Sequence, residues 1–137
     1  METIKIDIII LAPASKVWEL YTQSHHISKW NVVDNRWRCT SSHIDFKEGG
    51  TFKNTMALKD GSYSFDYAGV FEKIIPNEEI IYRTKDGRVV KVGFETIDAT
   101  TTKITQDIEP DKLNSFESQR QEYYNILNNF HKYVENH

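Results

Sequence analysis

The chain has 137 residues, with 39% hydrophobic and 27% charged side chains, a length and balance that suit one water-soluble domain with a real core. Lys and Arg number 17 against 20 Asp and Glu, a formal charge of −3 with no Lys/Arg cluster, which excludes a nucleic-acid footprint. No apolar run approaches the roughly 18 residues that span a bilayer, and the first residues enter a strand pattern with no basic leader segment, so no membrane insertion and a cytoplasmic location are expected.

The first strand is carried by Ile4, Ile6, Ile8 and Ile10, alternating with Lys5, Asp7 and Ile9, which is strand period. Ala12-Pro13-Ala14-Ser15 ends it and suits a helix entry, and Val17, Trp18, Leu20 and Tyr21 predict a short helix. Ser24 to Trp30 reads as a second short helix or turn. Asn35–Phe46 alternates weakly as the next strand, and Glu48-Gly49-Gly50 makes a turn. Thr51–Leu58 places Phe52, Asn54, Met56 and Leu58 on one face. Asp60-Gly61 is a tight hairpin signal, after which Tyr63, Phe65, Tyr67, Gly69 and Phe71 share a face. Pro76-Asn77 turns into Glu79–Thr84, and Asp86-Gly87 turns again into a strand facing inward at Val90, Val92 and Phe94. The Asp86-Gly87-Arg88 corner and Asp98–Thr102 are expected as surface turns. Thr101–Ile108 closes the sheet with Ile104, Gln106 and Ile108 on one side, and Pro110 ends it.

Asn114 to His137 then predicts one long amphipathic helix. Phe116, Tyr123, Ile126, Leu127, Phe130, Tyr133 and Val134 recur at helical spacing, with polar residues on the other side. At 1.5 Å per residue such a helix is about 30 Å long, enough to cross a small domain. Short strands joined by tight turns form an antiparallel meander, and this helix is the element long enough to cover its inner face. The expected fold is therefore α+β: an antiparallel seven-stranded curved sheet, two short helices and one long C-terminal helix over a cavity, in a single domain spanning 1–137.

The order strand, two short helices, six strands, long helix resembles the helix-grip fold of the START/Bet v 1-like (SRPBCC) superfamily. Local sequence narrows the resemblance. Ala12-Pro13 with Lys16-Val17-Trp18, Trp30, Gly49-Gly50 with Phe52, and Gly69 with Phe71 look like family signatures. So do Asp86-Gly87-Arg88 followed by Val90, and Gln119-Arg120 leading into Tyr123, Ile126, Leu127 and Phe130. Together they are similar to bacterial proteins of the family named after the activator of the heat-shock-protein-90 ATPase. The resemblance implies a fold and a cavity. It also implies two alternatives to plain ligand binding: a chaperone-linked interaction module, and an enzyme of the cyclase/aromatase type.

Trp30 and Trp37 flank the second strand and are candidates for the cavity wall, since indole offers a large apolar face with one donor. Phe52, Met56, Phe65, Tyr67, Tyr82, Phe94, Tyr123 and Phe130 lie on faces that should point under the helix; ordinary core packing is the alternative for each. Asn54, Gln106 and Gln119 stand where the pattern expects apolar side chains. A buried amide without a partner costs about 1–3 kcal/mol, so each should be paired or should line a solvated or ligand-filled pocket. His25, His26, His43, His131 and His137 have no metal-ligand spacing and read as surface residues. Cys39 is alone and reads as a small buried apolar residue. Asp66 and Glu72 fall on the solvent face. No nucleophile–base arrangement and no phosphate loop can be assembled, so no catalytic residue, metal or cofactor is expected. The expected partner is a small hydrophobic or aromatic molecule held without chemistry.

Overall fold

The computed structural model describes residues 2–137. In chain order the elements are β1 Ile4–Ile10, α1 Ala14–Thr22, α2 Ser24–Trp30, β2 Trp37–Ile44, β3 Thr51–Leu58, β4 Ser64–Ile75, β5 Glu79–Thr84, β6 Val89–Asp98, β7 Thr101–Ile108 and α3 Phe116–Glu135. The seven strands form one sheet in the order β1-β7-β6-β5-β4-β3-β2, with every neighbour antiparallel. This is the α+β helix-grip arrangement.

The alternation in the sequence sets the inner face. Ile4, Ile6 and Ile10 of β1, Val90, Val92 and Phe94 of β6, and Ile104 and Ile108 of β7 are all buried. Side chains two apart along a strand share a face, so the same residues that alternate in sequence meet in one layer. Leu127, Phe130 and Val134 of α3 and Val17 of α1 close that layer from above. Full burial of one such side chain is worth about 1.5–3 kcal/mol relative to exposure.

α3 starts at Ser115, whose side chain accepts a hydrogen bond from the Ser118 amide at 3.1 Å; a serine N-cap satisfies one of the donors the first turn leaves open. At its far end the Glu135 carboxylate accepts from the Leu11 amide at 2.9 Å, tying the helix to the end of β1. The helix packs on β1, α1 and α2, which holds it over one half of the sheet.

β4 runs to Ile75, just before the Pro76-Asn77 turn, and a bulge between Phe71 and Lys73 interrupts its alternation. A second bulge lies in β2 between Cys39 and Ser41. Bulges bend a strand and increase its twist, so both help curl the β2–β4 half of the sheet. Close approach also matters at Gly69: a Cβ there would strike the Arg83 carbonyl and press on the Phe52 ring, so Phe52 lies flat over a residue that has no side chain.

Candidate functional site

Where α3 does not reach, the sheet is left uncovered and a cavity of about 880 Å³ opens between β2–β5, α2 and the N-terminal half of α3. Its volume lies in the range typical of small-molecule sites, roughly 300–1,000 Å³. Trp30, Phe52, Met56, Phe71 and Leu127 are buried members of the lining and form its interior. Tyr63 and Phe65 of the β3–β4 hairpin region, Arg36, and Ser118, Gln121 and Glu122 of α3 also line it but are exposed, and so mark the rim. The aromatic rings pack edge-on and tilted: Phe52 lies 5.0 Å from Tyr82 and 5.3 Å from Phe71, and Trp37 lies 5.6 Å from Phe65, between ring centroids. Such offset geometry is what the quadrupole of the rings favours.

All of the wall residues expected from sequence line this space except Phe94 and Phe130. Those two sit beside it in solid core. Phe94 packs against Trp18 and Tyr21 at 5.0 and 5.4 Å, and Phe130 against Trp30 and Tyr21 at 4.6 and 5.1 Å. The reason is α1, which delivers Trp18 and Tyr21 into the volume that the strand and helix patterns alone leave empty.

The three amides each have partners, and each also faces the cavity. Asn54 accepts from Ser42 Oγ at 2.6 Å. Gln106 donates to the Tyr21 hydroxyl at 2.9 Å. Gln119 is a clasp: its oxygen accepts from the Asp111 amide at 2.8 Å, and its nitrogen donates to the carbonyls of Asn114 at 2.9 Å and Asp111 at 3.2 Å. It fastens the loop after β7 to the start of α3.

Arg88 is the residue the sequence reading misplaced. The corner itself is a tight turn, closed by Thr84 and Arg88 through their backbones at 2.8 Å, but the Arg88 side chain turns inward and lines the cavity with only 18% of its surface exposed. Its Nε donates to Asp86 at 2.9 Å, and its Nη1 approaches the Glu109 carbonyl at 3.3 Å and the Tyr123 hydroxyl at 3.4 Å. Nearby, the hydroxyls of Tyr67 and Tyr82 share a hydrogen bond of 2.9 Å. Tyr21 was likewise read only as part of a helix face, yet its ring lines the cavity.

Tyr67 and Tyr82 are half-buried and line the cavity. Burial first, and then the neighbouring tyrosines, raise both phenols well above their ordinary value of 10. Burial pushes Tyr21 up to about 12, partly offset by its bond to Gln106. These hydroxyls therefore stay protonated across the neutral range and serve as donors rather than as bases.

Two histidines are more enclosed than expected. His26 is half-buried, with Nδ1 2.7 Å from the Tyr133 hydroxyl, and His131 is half-buried against Glu135 at 2.8 Å. Helix–helix packing of α2 on α3 encloses the first, and the tie to β1 the second. Among the described residues no group of three His, Cys, Asp or Glu side chains could hold a metal ion, and no helix is long and apolar enough to cross a membrane.

A family model described as "Activator of Hsp90 ATPase homolog 1-like protein" matches residues 11–135, nearly the whole chain. The chain belongs to that family. The family is a branch of the START/Bet v 1-like (SRPBCC) superfamily, whose helix-grip architecture the sheet and α3 reproduce. Among solved structures, the activator-like protein of Aeromonas hydrophila is 31% identical, with 96% of this chain and 92% of that chain covered and a TM-score of 0.87. The protein Chr148 of Cytophaga hutchinsonii is 37% identical over 98% of this chain and 92% of its own, with a TM-score of 0.84. The Aha1 dimer of Colwellia psychrerythraea, 17% identical with 98% and 97% covered and a TM-score of 0.74, shares the fold. A search of curated proteins finds no match to the chain.

Proposed function

We propose that this activator-family domain is a small-molecule binding module that holds an apolar or aromatic ligand in the cavity between sheet and α3, without chemistry. The observation that carries the reading is the cavity itself, about 880 Å³ walled by Trp30, Trp37, Phe52, Met56, Phe65 and Tyr82. Affinity would come from burying ligand surface at about 25 cal/mol per Å², and orientation from Asn54, Gln106 and the tyrosine hydroxyls. Binding without turnover is supported by the polar lining: of its carboxylates, Asp34 is paired with Arg36, Asp111 accepts from backbone amides, and Glu122 is exposed at the rim. Its phenols are held protonated by burial, and a general base needs a group tuned to the working pH.

A panel of fatty acids, flavonoids and hydrophobic dyes tests this reading. Saturable binding accompanied by a rise in melting temperature is the expected result. A panel that gives neither a thermal shift nor saturation would overturn it. The family's description carries a second reading, docking on a chaperone of the heat-shock-protein-90 type; a pulldown with the bacterial chaperone and an assay of its ATPase distinguish the two, unchanged turnover and no complex counting against docking.

A further inference from the structure

The cavity is apolar over most of its wall and donor-rich in one place. The guanidinium of Arg88 uses Nε on Asp86 and Nη1 on the Glu109 carbonyl and the Tyr123 hydroxyl, while Nη2 donates to no acceptor among the described residues. The Tyr123 oxygen accepts from Arg88, and the same hydroxyl also bonds Tyr67. Tyr67 and Tyr82 share a bond as well, so the three phenols, joined by two bonds, keep one proton without a protein acceptor. Two donors, Arg88 Nη2 and one phenol proton, thus border one cavity with no acceptor of their own.

The acids around this patch are already engaged. Asp86 sits on the outer, Nε edge and is 55% exposed. Asp111 accepts from the amides of Leu113 and Asn114 at 2.9 and 3.0 Å. Glu109 Oε1 accepts from the Val89 amide at 2.6 Å. None of the last two carboxylates bonds the guanidinium, and each is spent on backbone donors.

We infer that the ligand carries a carboxylate on an apolar tail, and that this carboxylate sits on Arg88 between the hydroxyls of Tyr123 and the Tyr67–Tyr82 pair. The inference rests on the reading of the cavity as a ligand site and names the chemical class that the site takes. A planar guanidinium matches a planar carboxylate, and a charge-assisted hydrogen bond is roughly twice as strong as a neutral one. Arg88 carries a single positive charge, met by Asp86 only from its solvent-exposed Nε edge, so the cavity side suits one negative charge and favours a monocarboxylate over a phosphate dianion. The Tyr67 and Tyr82 phenols, held protonated by burial, add no competing charge.

Dodecanoate, dodecanol and dodecylamine share one tail and differ only at the head, so their competition with the neutral dye 1-aminoanthracene isolates the headgroup. The expected order is acid, then alcohol, then amine, with dodecanoate about 10-fold or more tighter than dodecanol at low salt. Arg88→Gln is expected to bring the acid-to-alcohol ratio close to one, and Arg88→Lys to restore part of it. Equal binding of acid and alcohol by the unmodified protein overturns the inference and leaves the cavity reading standing. An acid preference that survives in a folded Arg88→Gln variant also overturns it, because the charge then sits elsewhere. Should Arg88→Gln fail to fold, the acid-to-alcohol ratio of the unmodified protein decides alone. Binding of neither dye nor alcohol nor acid overturns inference and cavity reading together.

Discussion

The two halves of the sheet share one backbone pattern and end differently. On the β1–β7–β6 side the inward positions are Ile, Val and Phe, and α1 and α3 press onto them until Ile4, Ile10, Val92, Ile104, Phe130 and Val134 have essentially no exposed surface. On the β2–β5 side the inward positions are Phe, Tyr, Met and Asn, α3 stands off from the strands, and a hollow of about 880 Å³ remains beneath its N-terminal half. Branched aliphatic chains interlock to near-crystalline density. Rings that carry hydroxyls need their polar ends satisfied, and here they satisfy one another (Tyr67 with Tyr82, Tyr21 with Gln106) along a wall instead of filling the space. Side-chain type, more than strand order, decides which half is solid.

The largest expected effect breaks the solid half. Phe130→Ala removes a ring that touches both Trp30 and Tyr21 and leaves a void in close-packed surroundings. A loss of about 3–5 kcal/mol in unfolding free energy is expected, measured by urea denaturation. A loss below about 1 kcal/mol would mean that this half is as loosely filled as the other.

Met56→Ala sharpens the comparison from the hollow side. Met56 is also buried, at 6% exposed, but it borders the cavity and so has fewer packed neighbours to lose. About 1–2 kcal/mol is expected, under the 2–5 kcal/mol usual for a truncation in a filled core. Matching values for Met56→Ala and Phe130→Ala would erase the distinction between the halves.

Tyr67→Phe is a smaller change again. It removes one hydroxyl from a pair and leaves the ring in place, and about 1 kcal/mol is expected. Circular dichroism and the melting temperature should report a folded protein with a modest decrease. A gain in stability would show that the Tyr67–Tyr82 bond does not offset the desolvation of the two hydroxyls.

These contrasts also explain what the sequence could and could not announce. Strand period, Asp-Gly turns and the helical spacing from Phe116 to Val134 are local signals, and they carried the element order and the inner faces. They even placed Asn54, Gln106 and Gln119 at the cavity. What they do not contain is the third dimension of α1. Trp18 and Tyr21 looked like an ordinary helix face, yet they fill the space beside Phe94 and Phe130 and turn those two from cavity wall into core. Arg88 was hidden for a different reason. A charged residue after Asp-Gly reads as solvent-facing, and its inward turn depends on a carbonyl 21 residues away and a hydroxyl 35 residues away. The register shifts at Cys39/Ser41, Phe71/Lys73 and Thr96/Asp98 were also hidden, because no glycine or proline stands at those positions to mark them.

The smallest expected effect tests how the solid half is fastened. Glu135 accepts from the Leu11 amide at 2.9 Å and pairs with His131 at 2.8 Å, joining the end of α3 to the end of β1. The Leu11 bond, more than the imidazole, lowers its carboxyl below the ordinary value of 4.5. A carboxyl lowered in the folded state contributes stability that is complete above its unfolded pKa and disappears as the pH falls through the folded one. Glu135→Gln should therefore cost about 0.5 kcal/mol near neutrality, the scale of a partly exposed pair. The gap between variant and parent should close on acidification below 4.5. Melting temperatures of both proteins at a series of pH values measure that gap. A gap that persists undiminished in acid would mean that the link between α3 and β1 does not depend on the carboxylate charge, and that packing of Phe130 and Val134 alone holds the helix to the solid side.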